Sequence, residues 1–167
     1  RDALELIRAK IIEVVRRLRA FALEHRDLPT LGLTHLQPAQ LVTVGKRACL
    51  WMQDLVMDLT DIEHVLSTVK LLGSKGTTGT QASFLELFGG DGAKCLECER
   101  RIAGKMGLDK VYAVSGQTYP RKLDSRVLAV LSGVAQSAYK FAQDMRMLQA
   151  FHELEEPFSK DQIGSSA

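Results

Sequence analysis

Residues 41–72 read LVTVGKRACLWMQDLVMDLTDIEHVLSTVKLL. Within them Val44, Ala48, Trp51, Leu55, Leu59, Ile62 and Leu66 recur every three or four positions, with Met57 beside them. That period places the apolar side chains on one face of an α-helix, whereas a strand would alternate them. At about 1.5 Å per residue the helix spans roughly 45 Å. Helices this long belong to bundles, because their apolar stripe needs equally long partners to cover it. Two such partners flank it. From Asp2 to His25 the stripe is Leu4, Ile7, Ile11, Val14, Leu18 and Phe21. From Lys122 to Leu154 it is Leu123, Val127, Val130, Leu131, Val134, Ala138, Phe141, Met145 and Leu148, closed by Glu155-Glu156-Pro157. Three helices of roughly 25 to 33 residues, with no convincing strand, give an expected all-α fold, a long-helix bundle forming one domain over residues 1–167.

Three irregular segments punctuate these helices. Leu28-Pro29-Thr30-Leu31-Gly32 breaks the first pattern, and a polar connector runs from Thr34 to Gln40. Gly73-Ser74-Lys75-Gly76-Thr77-Thr78-Gly79-Thr80 ends the second helix, since glycine and threonine at that density favour open backbone. A short helix is expected over Ala82–Phe88 and another over Ala93–Met106, stopped by Gly107. The third irregular segment, Leu108–Arg121, contains Ser115-Gly116-Gln117-Thr118-Tyr119-Pro120.

Composition narrows the function classes. The 22 basic and 20 acidic side chains are interspersed and leave a net charge of +2, too weak a field for nucleic acid to be the main ligand. No apolar run approaches the ~20 residues of a membrane span. Three cysteines, an odd number with no secretory signal, fit a reducing compartment, and a cytoplasmic location is expected. Apolar stripes on several sides of such long helices exceed what one small bundle covers, so a homo-oligomer is the expected completion. Arg1 opens directly into helical pattern and Gly164-Ser165-Ser166-Ala167 closes nothing, so the chain reads as an excerpt cut at both ends.

Several residues carry possible chemistry. Of four histidines, His25, His64 and His152 lie in helical pattern and only His35 sits in a loop. A loop imidazole can present a nitrogen for proton transfer or can simply hydrogen-bond its neighbours. Gly76-Thr77-Thr78-Gly79-Thr80 either cradles an anion with backbone N–H groups or merely breaks a helix, and it lacks the Gly-Lys-Ser/Thr ending of a phosphate loop. Gln117, Tyr119 and Arg121 offer amide, hydroxyl and guanidinium groups that fit a polyanion or a plain structured loop. Cys95 and Cys98 lack a second pair and read as structural, and no metal-ligand set or dinucleotide fingerprint occurs. By composition, Ser165 and Ser166 read as solvated linker.

Four segments taken in order resemble the adenylosuccinate lyases of the fumarase/aspartase superfamily. These are Thr34-His35-Leu36-Gln37-Pro38-Ala39-Gln40, Gly76-Thr77-Thr78-Gly79-Thr80-Gln81-Ala82-Ser83-Phe84, Ser115-Gly116-Gln117-Thr118-Tyr119 and Gln162-Ile163-Gly164-Ser165-Ser166. Thr34-His35-Leu36-Gln37 and Gly164-Ser165-Ser166 are of a type found across the superfamily, and Pro38-Ala39-Gln40, Thr80-Gln81-Ala82-Ser83-Phe84 and Gly116-Gln117-Thr118-Tyr119 point to the adenylosuccinate branch. The resemblance covers the whole chain and implies a carbon–nitrogen lyase that eliminates fumarate from adenylosuccinate and from the succinyl-carboxamide ribotide of purine synthesis. It implies that His35 protonates the departing nitrogen, that Ser165 is the base, and that Thr34 and Gln117 bind substrate. No metal or organic cofactor is implied. A cytoplasmic homotetramer with active sites shared between subunits is implied, with no nucleic-acid or membrane partner.

The family's signature continues past Ala167 with Met-Pro and then Lys and Asn. Its N-terminal domain, with a further histidine and phosphate-binding residues, precedes the position of Arg1. The chain alone is therefore expected to be inactive. An argininosuccinate lyase-type enzyme is the alternative within the superfamily. A structural homologue that kept the helices and lost the chemistry is the alternative outside catalysis, and the presence of both His35 and Ser165 argues against it.

Overall fold

The computed structural model describes residues 1–155 and Pro157. Five helices and one hairpin follow in the order α1 (Asp2–Glu24), β1 (Pro29–Thr34), β2 (Gln37–Thr43), α2 (Val44–Thr68), α3 (Ala82–Leu87), α4 (Gly92–Lys105) and α5 (Lys122–Ala150). The three long helices stand where the 3.6-residue pattern places them, and the fold is mostly helical as expected. The hairpin departs from the sequence reading, which placed a polar connector there and no strand.

The second helix is shorter than its apolar pattern at both ends, and side-chain hydroxyls mark the two boundaries. Leu41 and Val42 pair with Leu31 and Thr30 in the hairpin ladder. Thr43 Oγ1 accepts the amide of Lys46 at 3.1 Å, an N-cap that starts the helix at Val44. At the other end Ser67 and Thr68 donate their hydroxyls to the carbonyls of His64 and Val65, local bonds of the kind that compete with a continuing helix. Helix α4 is capped by Asp91, whose carboxylate accepts the amides of Ala93 and Lys94. Those amide bonds, that of Lys94 foremost, hold its pKa below the ordinary carboxylate value. The helix stops as expected at Gly107, where the amides of Gly107 and Leu108 return to the carbonyls of Gly104 and Ala103.

The chain divides into two compact units. The first comprises Arg1–Lys10 with Asp58–Ser132; it buries Leu4, Ile62, Val65, Cys95 and Ala103, together with the charged Glu99. The second comprises Ile11–Met57 with the described residues from Gly133 on. Its core joins Ala22 of α1, Ala48 and Trp51 of α2 and Leu148 of α5. Trp51 is 6% exposed, meets Phe141 edge-to-face at 5.1 Å, and donates its indole N–H to Asp144 at 2.8 Å. Lys140 pairs with Asp54 at 3.0 Å, a second tie between α5 and α2. Gly45 lets the start of α2 press on the end of α1. A Cβ there would collide with the carbonyl oxygen of Ala22 and lie 2.7 Å from Cα of Arg26.

Removing the indole should therefore open a cavity and take away the hydrogen bond to Asp144. Trp51→Ala is expected to lower the unfolding free energy by about 3–5 kcal/mol. Urea unfolding followed by circular dichroism measures this, and a loss under about 1 kcal/mol, the scale of an ordinary surface change, would contradict the packing.

Candidate active-site loops

In the hairpin, Thr34 faces Gln37, which leaves His35 and Leu36 as the entire turn. Both have positive φ, 51° at His35 and 59° at Leu36. A two-residue hairpin turn of this handedness matches the twist of its strands and normally uses Asn-Gly. Placing L side chains there costs about 1–2 kcal/mol per residue. The turn holds the imidazole of His35 at the exposed tip, without a hydrogen bond to any other described residue. Strain of this kind persists only where the surroundings enforce it.

The enforcement comes from below. Arg47 of α2 donates through Nη2 to the carbonyl of Leu31 at 2.9 Å and to Thr30 Oγ1 at 3.4 Å. Thr30 in turn donates to Glu153 at 2.6 Å, and Glu153 lies 3.6 Å from the guanidinium. The Arg47 side chain is only 12% exposed, and its Nη1 has no hydrogen-bond partner among the described residues. This largely covered cation, paired with Glu153, anchors β1 to α2. Beside it lies a hollow of about 640 Å³ whose walls include Thr34, Leu36, Gln40, Arg47 and Trp51. Nothing in the sequence pattern singled out Arg47 or Glu153, because a lone Arg on a helix ordinarily reads as a solvated charge.

In the first unit the glycine-threonine loop and the Ser115–Tyr119 segment lie against each other. The amide of Leu71 donates to Lys110 O and that of Tyr112 to Leu71 O, both at 2.9 Å, forming a parallel bridge between Leu71 and Val111. Ser115 Oγ donates to Leu72 O at 3.3 Å. Gly76 and Gly79 close a tight turn, in which Gly76 N–H donates to Thr80 O at 2.7 Å and Gly79 N–H to Gly76 O at 2.9 Å. Gly79 has φ 81°, and a Cβ there would collide with the carbonyl of Ser115 and lie 2.7 Å from Gly116 Cα. Glycine is therefore required where the two segments touch.

Beneath them Lys75 and Glu99 form a buried ion pair at 3.3 Å, with side chains 8% and 7% exposed. Gln117 is exposed and makes no side-chain hydrogen bond to another described residue, leaving its amide available. Tyr119 and Arg121 are engaged locally. Tyr119 donates its hydroxyl to Asp124 at 2.7 Å, which raises the phenol's pKa, and Arg121 pairs with the same carboxylate at 2.8 Å.

Thr34 and His35 thus sit together in the second unit, and Gln117 sits beside the glycine-threonine turn in the first. Ser165, the expected base, lies outside the described residues. Among the described residues no cluster of His, Cys, Asp or Glu could hold a metal ion, and no helix is long and apolar enough to cross a membrane.

Comparison with known proteins bears on the same residues. A family model described as "Lyase" matches residues 1–167. The chain is 54% identical over its full length to adenylosuccinate lyase of Saccharomyces cerevisiae and 50% identical to that of Schizosaccharomyces pombe. It spans 35% of the length of each of these curated relatives. Among solved structures, a fumarate lyase from Mesorhizobium sp. BNC1 superposes with a TM-score of 0.76 at 30% identity, covering 89% of this chain and 33% of that one. The 3-carboxy-cis,cis-muconate lactonizing enzyme of Pseudomonas putida superposes with a TM-score of 0.75 at 27% identity, covering 89% and 32%.

The turn geometry carries its own prediction. Leu36→Gly should relieve the left-handed strain by about 1–2 kcal/mol and lose about 0.5–1 kcal/mol to added chain freedom. A net gain of about 0.5–1 kcal/mol in unfolding free energy is expected from urea titration. A loss of stability would contradict the positive φ at Leu36.

Proposed function

This chain belongs to the lyase family whose model it matches over residues 1–167, and from that premise we propose that the complete protein is an adenylosuccinate lyase of which this is the central helical part. The observation that carries the reading is 54% identity, end to end, with the Saccharomyces cerevisiae enzyme. The substrates are adenylosuccinate and the succinyl-carboxamide ribotide, each a phosphorylated succinyl-purine intermediate. The protein is a cytoplasmic homotetramer whose active sites take loops from more than one subunit. Exposed apolar side chains on the long helices support association, among them Leu6 of α1, Met57 of α2 and Leu128 of α5, at 58, 59 and 65% exposure.

The reaction is a β-elimination. Ser165, as its alkoxide, takes the proton from the succinyl β-carbon, the electron pair left behind forms the carbon–carbon double bond of fumarate, and the carbon–nitrogen bond breaks. His35 gives its proton to the departing nitrogen, so the product is the free amine. Negative charge accumulates on the carboxylate next to the carbanion, and fixed donors stabilise it better than mobile water does. The Thr34 hydroxyl beside His35 and the free amide of Gln117 are the substrate-binding donors in this reading. The exposed, strained tip supports His35 as the acid, because a side chain reaching into a shared site has to stand clear of its own fold.

The test is fumarate release from adenylosuccinate by the complete protein. His35→Ala should lower kcat on the order of 10²–10⁴-fold, the usual contribution of general acid–base catalysis, with circular dichroism and tetramer content unchanged. Unaltered turnover in the variant, or release of fumarate only from argininosuccinate by the unmodified protein, would overturn the reading.

A further inference from the structure

Lys75 and Glu99 are charged, buried, and distant in sequence from every residue assigned to the chemistry. The Lys75 ammonium has three partners: the carbonyl of Leu72 at 3.1 Å, the carbonyl of Tyr112 at 2.9 Å and Glu99 Oε1 at 3.3 Å. An ammonium has three protons, so every one is used. Glu99 Oε1 also accepts the amide of Ser74 at 3.1 Å. One cation and one carboxylate therefore join three separate pieces of chain: the start of the glycine-threonine loop, the strand-like run before Ser115, and helix α4.

This is more than a salt bridge placed for stability. A buried pair is often no better for stability than two apolar groups of the same volume. What an apolar pair cannot do is bond the carbonyls of Leu72 and Tyr112 and so fix how one loop lies along the other. Leu72 O takes both Lys75 Nζ and Ser115 Oγ. Gly79 rests on the backbone of Ser115 and Gly116, and Gln117 follows directly. We propose that Lys75 and Glu99 are positioning residues that set the placement of Gln117 and of the Gly76–Thr80 turn for substrate binding. The proposal rests on the lyase reading for its substrate and on geometry alone for its mechanical part.

The experiment compares the unmodified complete protein with Lys75→Met and with the double variant Lys75→Met/Glu99→Leu. The single variant leaves a buried carboxylate unpaired and is expected to fold poorly. The double variant removes both charges and is expected to recover part of the thermal midpoint that the single variant loses, the carbonyl of Tyr112 and the amide of Ser74 still lacking their partners. If the pair positions the site, the double variant still shows a KM for adenylosuccinate raised on the order of tenfold with kcat changed much less, as for loss of one well-placed hydrogen bond to a charged substrate. Its amides at Leu71, Gly76 and Tyr112 should also exchange with deuterium at least tenfold faster. If KM and exchange in the double variant both equal those of the unmodified protein, the pair is merely structural and the proposal is overturned. Hydrogen exchange needs no substrate, so faster exchange in a protein that releases no fumarate even unmodified would uphold the mechanical part and reject the lyase reading.

Discussion

The ammonium of Lys75 is held out of water by two backbone carbonyls and the carboxylate of Glu99, and the irregular half of the first unit depends on that arrangement. Between α2 and α5 this unit contains only two short helices, of 6 and 14 residues. The intervening backbone has few ladder partners of its own, and its buried polar groups have to be satisfied individually. Lys75 and Glu99 supply those partners in one place. The parallel bridge at Leu71 and Val111, the Ser115 hydroxyl and the glycine contact at Gly79 then follow in sequence along the same two segments.

The second unit solves a similar problem differently. Its irregular segment is a hairpin, so the backbone satisfies itself, and the difficulty moves to the turn. His35 and Leu36 both adopt a conformation that L residues resist. The half-buried cluster of Arg47, Thr30 and Glu153 holds the base of the hairpin while its tip stays exposed. A reacting side chain gains from this arrangement, because its position is set by strands and helices instead of by a mobile loop. In the proposed elimination the tip presents His35 as the acid, and the helices supply the rigid support.

Much of this is legible in the sequence. The three long helices announce themselves by apolar period, and Gly107 marks the end of α4. Thr34, His35 and Gln117 stand out only through a resemblance carried by whole segments; by spacing alone each is an ordinary loop residue. The hairpin was hidden for physical reasons. Its turn pair is His-Leu where Asn-Gly would have signalled it, Gly32 sits at an irregularity in the ladder, and Pro38 argues against a strand. Leu41 and Val42 continue the apolar pattern of α2, so periodicity carried the helix three residues too far. The buried pair Lys75–Glu99 and the half-buried pair Arg47–Glu153 were hidden because their partners are 24 and 106 residues apart, and charge at a single position does not reveal burial.

The most direct measurement is a crystal structure of the complete protein, as its His35→Ala variant, soaked with adenylosuccinate. Succinyl-purine density touching Thr34 and Gln117 is the expected result, whether one subunit or several supply the two loops to a given site, with the bridging nitrogen facing the space left by the imidazole. Ligand bound elsewhere, with both the hairpin tip and the Ser115–Tyr119 segment empty, would contradict the assignment of these loops to the active site.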